Sequence, residues 1–238
     1  MIDYHCHILP QVDDGPDRLS ESLTLLRRSY QQGVEIMVST CHFYADEDDP
    51  QSFLDRRNAA FQRVREAMLR DAEVYPMIVL GAEVLYFPGI SEARDIEKLT
   101  IGSGRTMLVE PPMAPWSDDM LDEIAELGEN LGCRPVIAHV DRYMRMLKDK
   151  HLLNRVLERN LLVQVNASWF LDPKTVKTAV RNLKQGKIHL IGSDCHNLLG
   201  RSPNLGQARQ QAKAFGAEAE FEELRRNALR LLFPRGNQ

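Results

Sequence analysis

No stretch of this 238-residue sequence is apolar over the roughly 18 residues that a membrane-spanning helix needs, which excludes insertion into a bilayer by a helix. A secretory leader is also missing, since histidines and aspartates begin within a few residues of Met1, and a cytoplasmic protein is expected. Positive charge is not in excess: the formal net charge is -4 and no basic stripe occurs, so nothing favours nucleic acid as a partner. The four cysteines, Cys6, Cys41, Cys133 and Cys195, form no C-x-x-C pair and no disulfide-framework spacing, and are expected to be reduced, buried side chains. Linker-like, low-complexity and repeated segments are absent too, so residues 1–238 are read as one domain.

What is present is enough apolar material for a core, 43% of residues, in a distinctive order. The chain opens M-I-D-Y-H-C-H-I-L-P-Q-V-D-D-G, whose alternation predicts a strand with Asp3, His5 and His7 on one side, leading into a loop that carries Asp13 and Asp14. An H-x-H alone reads equally as a metal-site fragment or as a solvated pair. Further short apolar runs follow at Val34–Thr40, Met77–Leu80, Arg105–Val109, Pro135–Ala138, Leu161–Val165 and Ile188–Ile191. Helical stripes separate them: Leu19–Gln32 with Ser20 as cap, Ser52–Asp71, a helix capped at Ser117 and running to Leu131, Thr175–Lys184, and a helical tail from Leu205. The acidic run Asp46–Asp49 reads as a solvated loop, with docking of a basic partner as the alternative.

Seven strands alternating with helices predict an α/β fold with a parallel sheet or barrel. Most of the runs end in His, Asp or Glu, the sixth ending instead at Asn166. Of the seven histidines, His5, His7, His42, His139 and His196 fall at strand ends, whereas His151 and His189 do not and read as structural or solvated. Loops at the carboxyl ends of barrel strands converge on one rim, so this placement decides the opening H-x-H in favour of metal.

The motifs H-C-H, D-D-G-P, T-C-H-F-Y, G-A-E, L-V-E, A-H-V-D-R-Y and G-S-D-C-H-N followed by G-R-S-P-N-L stand in that order between Met1 and about Ala208. Together they resemble the PHP (polymerase and histidinol phosphatase) superfamily, and within it the bacterial metal-dependent protein-tyrosine phosphatases of capsule and exopolysaccharide operons. The resemblance implies a distorted (β/α)7 barrel and a trinuclear site. His5, His7, Glu83 and Asp194 are implied to bind one metal, Glu83, Glu110 and His139 a second, and Asp14, His42 and His196 a third, with Arg142 and Arg201 catalytic. Cys41, Val140 and Asp141 depart from commoner family residues, but none is a ligand position. Asp3 is unassigned by the motifs and is expected to accept a hydrogen bond from a ligand histidine.

Ligands of this kind, nitrogen and oxygen without thiolate, suit Mn, Fe or Zn without choosing among them; the resemblance implies two to three divalent metal ions, Mn first, with Fe or Zn as alternatives. The expected chemistry is direct attack on phosphorus by metal-bound hydroxide, without a phosphoenzyme. A C-x5-R signature does occur, from Cys195 to Arg201, but H-N-L-L-G is no Gly-rich phosphate cradle and thiol catalysis is set aside. The expected substrate is a phosphotyrosine protein, specifically a bacterial tyrosine kinase of polysaccharide export. A small metabolite such as histidinol phosphate, or a regulatory binding role in the export machinery, are the alternatives.

Overall fold

The computed structural model describes residues 1–147, 149 and 151–234, so the last four residues of the expected domain lie outside the described residues. Strands β1 (Ile2–Cys6), β2 (Ile36–Ser39) and β4 (Met77–Leu80) form one parallel sheet. Strands β3 (His42–Phe43), β5 (Glu83–Leu85), β6 (Thr106–Glu110), β7 (Arg134–Ile137), β8 (Leu162–Asn166) and β9 (Leu190–Gly192) form a second, also parallel. Beyond two of the expected strands, Val34–Thr40 and Met77–Leu80, the chain thus pairs again after a break, so two staves have a lower and an upper piece. The ladder runs on through both breaks: Gly81 N–H donates to Ser39 O (2.9 Å) and Glu83 N–H to Cys41 O (3.0 Å). Across the remaining seam Asp194 N–H donates to His5 O and His7 N–H to Cys195 O, both at 2.8 Å. Seven staves therefore join in the sequential order of a distorted (β/α)7 barrel, as expected.

The seam closes because residue 192 is glycine. A Cβ there would lie 2.4 Å from His5 Cβ and 2.8 Å from His5 N, so any side chain would push β9 off β1.

The helices are α1 (Leu19–Gln31), α2 (Pro50–Arg70), α3 (Asp118–Leu131), α4 (Val140–Met146), α5 (Leu152–Glu158), α6 (Val176–Lys184), α7 (Leu205–Ala214) and α8 (Glu218–Leu232). Ser117 caps α3 by accepting from Met120 N–H, and Gly132 ends it with φ 62°. Two helix starts differ from expectation. Arg18, not Ser20, occupies the cap of α1 and makes no side-chain bond. The second helix starts at Pro50, and Asp49 caps it by accepting from Gln51 and Ser52 N–H, so the acidic run is the expected loop and its last residue also begins the helix.

Apolar side chains separate into two layers. The large cluster lies between staves and helices, while Ile2, Tyr4, Val38, Leu108, Val136 and Leu190 fill the barrel together with Ala228, Leu231 and Leu232 of α8. The helical tail thus stoppers the amino-terminal mouth of the barrel and leaves the opposite mouth to polar side chains.

Candidate metal centre

β1 does not keep strict alternation. Its register against β2 shifts between Asp3 and Cys6, and Tyr4 packs inside the barrel while Cys6 packs in the outer layer. A bulge of this kind re-aims side chains. Asp3 is accordingly taken away from its expected role: its carboxylate accepts from Ser193 N–H (2.8 Å) and Oγ–H (2.5 Å), tying β1 to the loop after β9. No ring nitrogen bonds to it among its hydrogen bonds in the described residues.

The nine side chains singled out from sequence meet in one cup at the carboxyl ends of the strands. His5 Nε2 and His7 Nε2 are 3.1 Å apart and lie 3.0 and 3.2 Å from Glu83 Oε2. Asp194 Oδ1 stands 3.7 and 3.8 Å from the same two nitrogens. Glu83 Oε1 is 2.9 Å from His139 Nε2, which is also 3.2 Å from Glu110 Oε1. Asp14 Oδ1 approaches His196 Nε2 to 3.0 Å and His42 Nε2 to 3.5 Å. His42 Nδ1 turns back to Glu83 Oε2 at 3.2 Å, so Glu83 touches all three groupings.

Three sets of donor atoms are mutually close enough to share an ion: His5, His7 and Glu83; His42, Glu83 and Glu110; and His7, Asp14, His42 and His196. This grouping differs from the sequence expectation: His42 stands in the second set where His139 was expected, Asp194 joins none of the three, and His7 also joins the third, its ring stacked on His196 at 3.8 Å. His42 Nδ1 and His196 Nε2 are buried nitrogens without an aligned hydrogen-bond partner, despite nearby carboxylates. Lone pairs left over in this way fit a cation.

Burial and neighbouring charge sort the groups. Burial, then His7, lowers the pKa of His42, and burial is also the leading cause for His196, so both rings are held neutral. Burial alone would raise the Glu83 carboxyl, but His5, His139 and His7 hold it well below the usual range. His139 is pushed up to about 9: burial opposes the rise, while Glu110 and Glu83 drive it. The carboxylates therefore demand positive charge, and the neutral imidazoles offer lone pairs.

The backbone is strained where it turns into the cup. His139 has φ 29° and Asp194 φ 54°, left-handed values that non-glycine residues adopt at a cost. Gln164 supports the first: its Oε1 accepts from His139 N–H (2.6 Å) and lies 3.3 Å from His5 Nδ1. Asn166, the apparent exception among strand ends, donates to Asp194 Oδ2 at 2.8 Å. Asp141 reaches β8 by accepting from Asn166 N–H (2.8 Å), and burial raises its carboxyl to about 6.

Asp13 is the strongest support missing from the sequence reading. Its Oδ2 accepts from His7 Nδ1 (2.6 Å) and from His42 N–H (3.0 Å), and its Oδ1 from Gly15 N–H (3.0 Å). A second acidic residue beside Asp14 in the D-D-G turn was the available signal, but spacing alone does not tell which of the two faces a ring.

Arg142 and Arg201 flank Asp194. Arg142 reaches Asp194 Oδ2 at 2.9 Å and Glu110 at 3.4 Å; Arg201 reaches Asp194 Oδ1 at 2.8 Å and Asp14 at 3.2 Å. Both are partly exposed at the rim, where forked donors can meet a phosphoryl group. All four cysteines are buried and free; Cys6 Sγ–H donates to Val38 O. His189 Nδ1 accepts from Val163 N–H, a structural role as expected.

Residues 1–233 match the family described as capsular polysaccharide synthesis, CpsB/CapC. The chain belongs to this family. The match extends through α8, beyond the point near Ala208 where recognisable motifs stop. Similar relatives include the tyrosine-protein phosphatase CpsB of Streptococcus agalactiae, 29% identical over 98% of each chain. CpsB of Streptococcus pneumoniae is 30% identical, covering 93% of this chain and 94% of that one. Among solved structures, one described as YwqE from Bacillus subtilis and CpsB from Streptococcus pneumoniae, "unique metal-dependent tyrosine phosphatases", superposes with a TM-score of 0.82. It shares 22% identity and covers 98% of this chain and 94% of its own, which establishes the CpsB/CapC fold here. The resemblance expected from the motifs holds.

Proposed function

We propose that this CpsB/CapC chain is a metal-dependent phosphatase that hydrolyses phosphotyrosine on a protein. The observation that carries the reading is the single cup in which His5, His7, Asp14, His42, Glu83, Glu110, His139, Asp194 and His196 converge around unpartnered ring nitrogens. These nine would hold two to three divalent ions, Mn first, with Fe or Zn as alternatives. Bound there, such ions supply Lewis-acid activation of water and neutralise charge on the phosphoryl oxygens.

The chain's own residues do the rest. Arg142 and Arg201 turn their guanidinium forks to the phosphoryl oxygens as charge spreads over them, and Asp194 between the two keeps both in position. Asp13 and Gln164 hold the His7 and His5 rings by their Nδ1 atoms, leaving Nε2 turned into the cup. A tyrosyl leaving group, with a pKa of about 10, departs without a dedicated acid, in keeping with a cup that holds ligands and arginines. The named relatives act on tyrosine phosphate, and the family's description links it to capsule, which supports a tyrosine kinase of polysaccharide export as the partner; the location that goes with this proposal is the cytoplasm. No helix among the described residues is long and apolar enough to cross a membrane.

Metal content should be measured on the purified protein, with turnover of a phosphotyrosine peptide, a phosphoserine peptide and histidinol phosphate. The expected result is preference for phosphotyrosine, loss of metal and at least about 100-fold lower activity in His7→Ala, as removal of a ligand does more than removal of its support. Cys195→Ser is expected to remain active. Full activity in His7→Ala would sink the metal reading, and preference for histidinol phosphate would transfer the function to a small metabolite.

A further inference from the structure

We propose that the cleft beside His42 receives the aromatic ring of the substrate, and that Tyr44 sets a preference for aryl over alkyl phosphate esters. This rests on the phosphotyrosine reading above. The cleft, about 370 Å³, runs from Val12–Asp14 past His42 and Tyr44 to Phe53 and Arg56 on α2. It shares Asp14 and His42 with the candidate centre, whereas the cleft by Gln31 and Gln210, the one by Lys177 and Phe215 and the one by Leu229 and Phe233 share none of its residues. An aryl ester carries its ring one oxygen away from phosphorus. A phosphoryl group seated in the cup therefore sets that ring against a wall adjoining the cup.

The wall is aromatic and fixed. Tyr44 stacks on His42, with ring centres 5.4 Å apart and planes at 16°, so its position is tied to that of a candidate ligand. Phe43 also lines the cleft, is buried, and meets Phe53 edge-on at 5.5 Å. Tyr44 itself is only half-buried and lines the cleft. The charges nearby argue for a neutral occupant: Arg56 is paired to Asp48 at 2.7 Å, and Asp13, Asp14 and Glu47 would repel a second anion. An uncharged aromatic ring gains from a stacking partner what an alkyl chain does not.

The test uses metal-loaded protein and measures the affinities of benzylphosphonate, whose CH2 stands in for the ester oxygen, and ethylphosphonate by calorimetry, alongside KM for a phosphotyrosine peptide. Tyr44→Leu is expected to weaken benzylphosphonate and raise KM by roughly 3- to 10-fold, the worth of one aromatic pair, with ethylphosphonate and metal content unchanged. Tyr44→Phe, which keeps the ring, is expected to keep the benzyl-over-ethyl ratio. Equal weakening of both phosphonates, with loss of metal, would make Tyr44 a prop for His42 and overturn the subsite. An unchanged ratio in Tyr44→Leu would overturn it as well. A wild-type protein inert towards the phosphotyrosine peptide would defeat the proposed function separately, since the phosphonate ratio is read by binding alone.

Discussion

Asp13 shows how much of the site rests on residues that would touch no ion. One carboxylate oxygen serves both the His7 ring and the His42 backbone, and the other pins the turn at Gly15. Asp13→Ala should weaken metal binding by about 10- to 100-fold, as loss of such orienting partners does, and Asp13→Asn by less, because an amide oxygen still accepts from Nδ1–H. Titration of the metal-free protein with Mn checks both. Asp3 allows a second prediction. Burial raises its carboxyl from 3.8 to about 6, against the opposing bonds from Ser193. An acid whose folded pKa is raised binds its proton more tightly when folded, so its contribution to stability is fully present below about 3.8 and is lost as pH rises through about 6. Thermal melts at intervals from about pH 4 to 7 should therefore show wild type losing stability relative to Asp3→Asn as pH rises through that window. Parallel curves would refute the assignment.

Among the elements, β1 and β9 matter most, because the seam between them brings the first and last candidate ligands together. The sequence placed His5, His7, Asp194 and His196 at strand ends, and it is the pairing of the first stave with the seventh that brings them within reach of one another. Gly192→Ala tests this seam. The added methyl meets His5 backbone and Cβ, so stability should fall by about 1–3 kcal/mol, the usual cost of overpacking, and metal stoichiometry should fall with it. Denaturant unfolding and metal analysis of the same preparation check the two effects together. Strand periodicity was legible, but the bulge in β1 was not. An alternation rule cannot see that β1 slips against β2, so it points Asp3 to a ligand histidine, whereas the carboxylate bonds Ser193.

At the scale of the whole molecule, the barrel has one apolar end and one polar end, and α8 is what makes the difference. Leu231 and Leu232 enter the interior cluster, and Ser103 Oγ–H donates to Leu232 O at 2.9 Å. Leu232→Ala should cost about 2–5 kcal/mol, as truncation of a fully buried leucine does, while leaving metal content unchanged once the protein is folded. Loss of metal in the folded variant would show that the plug and the cup are coupled. From its motifs alone the tail was a generic helix, because plugging a barrel requires only apolar residues at helical spacing and leaves no signature.

By itself the sequence determined the α/β order, the seven staves, the relatives to which this chain belongs and the identity of the nine side chains that meet at one rim. The order and the staves follow from local periodicity, while the relatives and the nine side chains follow from the resemblance that the spaced motifs carry. Only the tertiary structure decided the grouping of those nine, the breaks that split two staves, the roles of Asp13, Gln164 and Asn166, and the aromatic cleft beside His42. Each of these depends on contacts between residues far apart in sequence, and on which of two neighbouring side chains the backbone turns inward, and neither is written in composition or spacing.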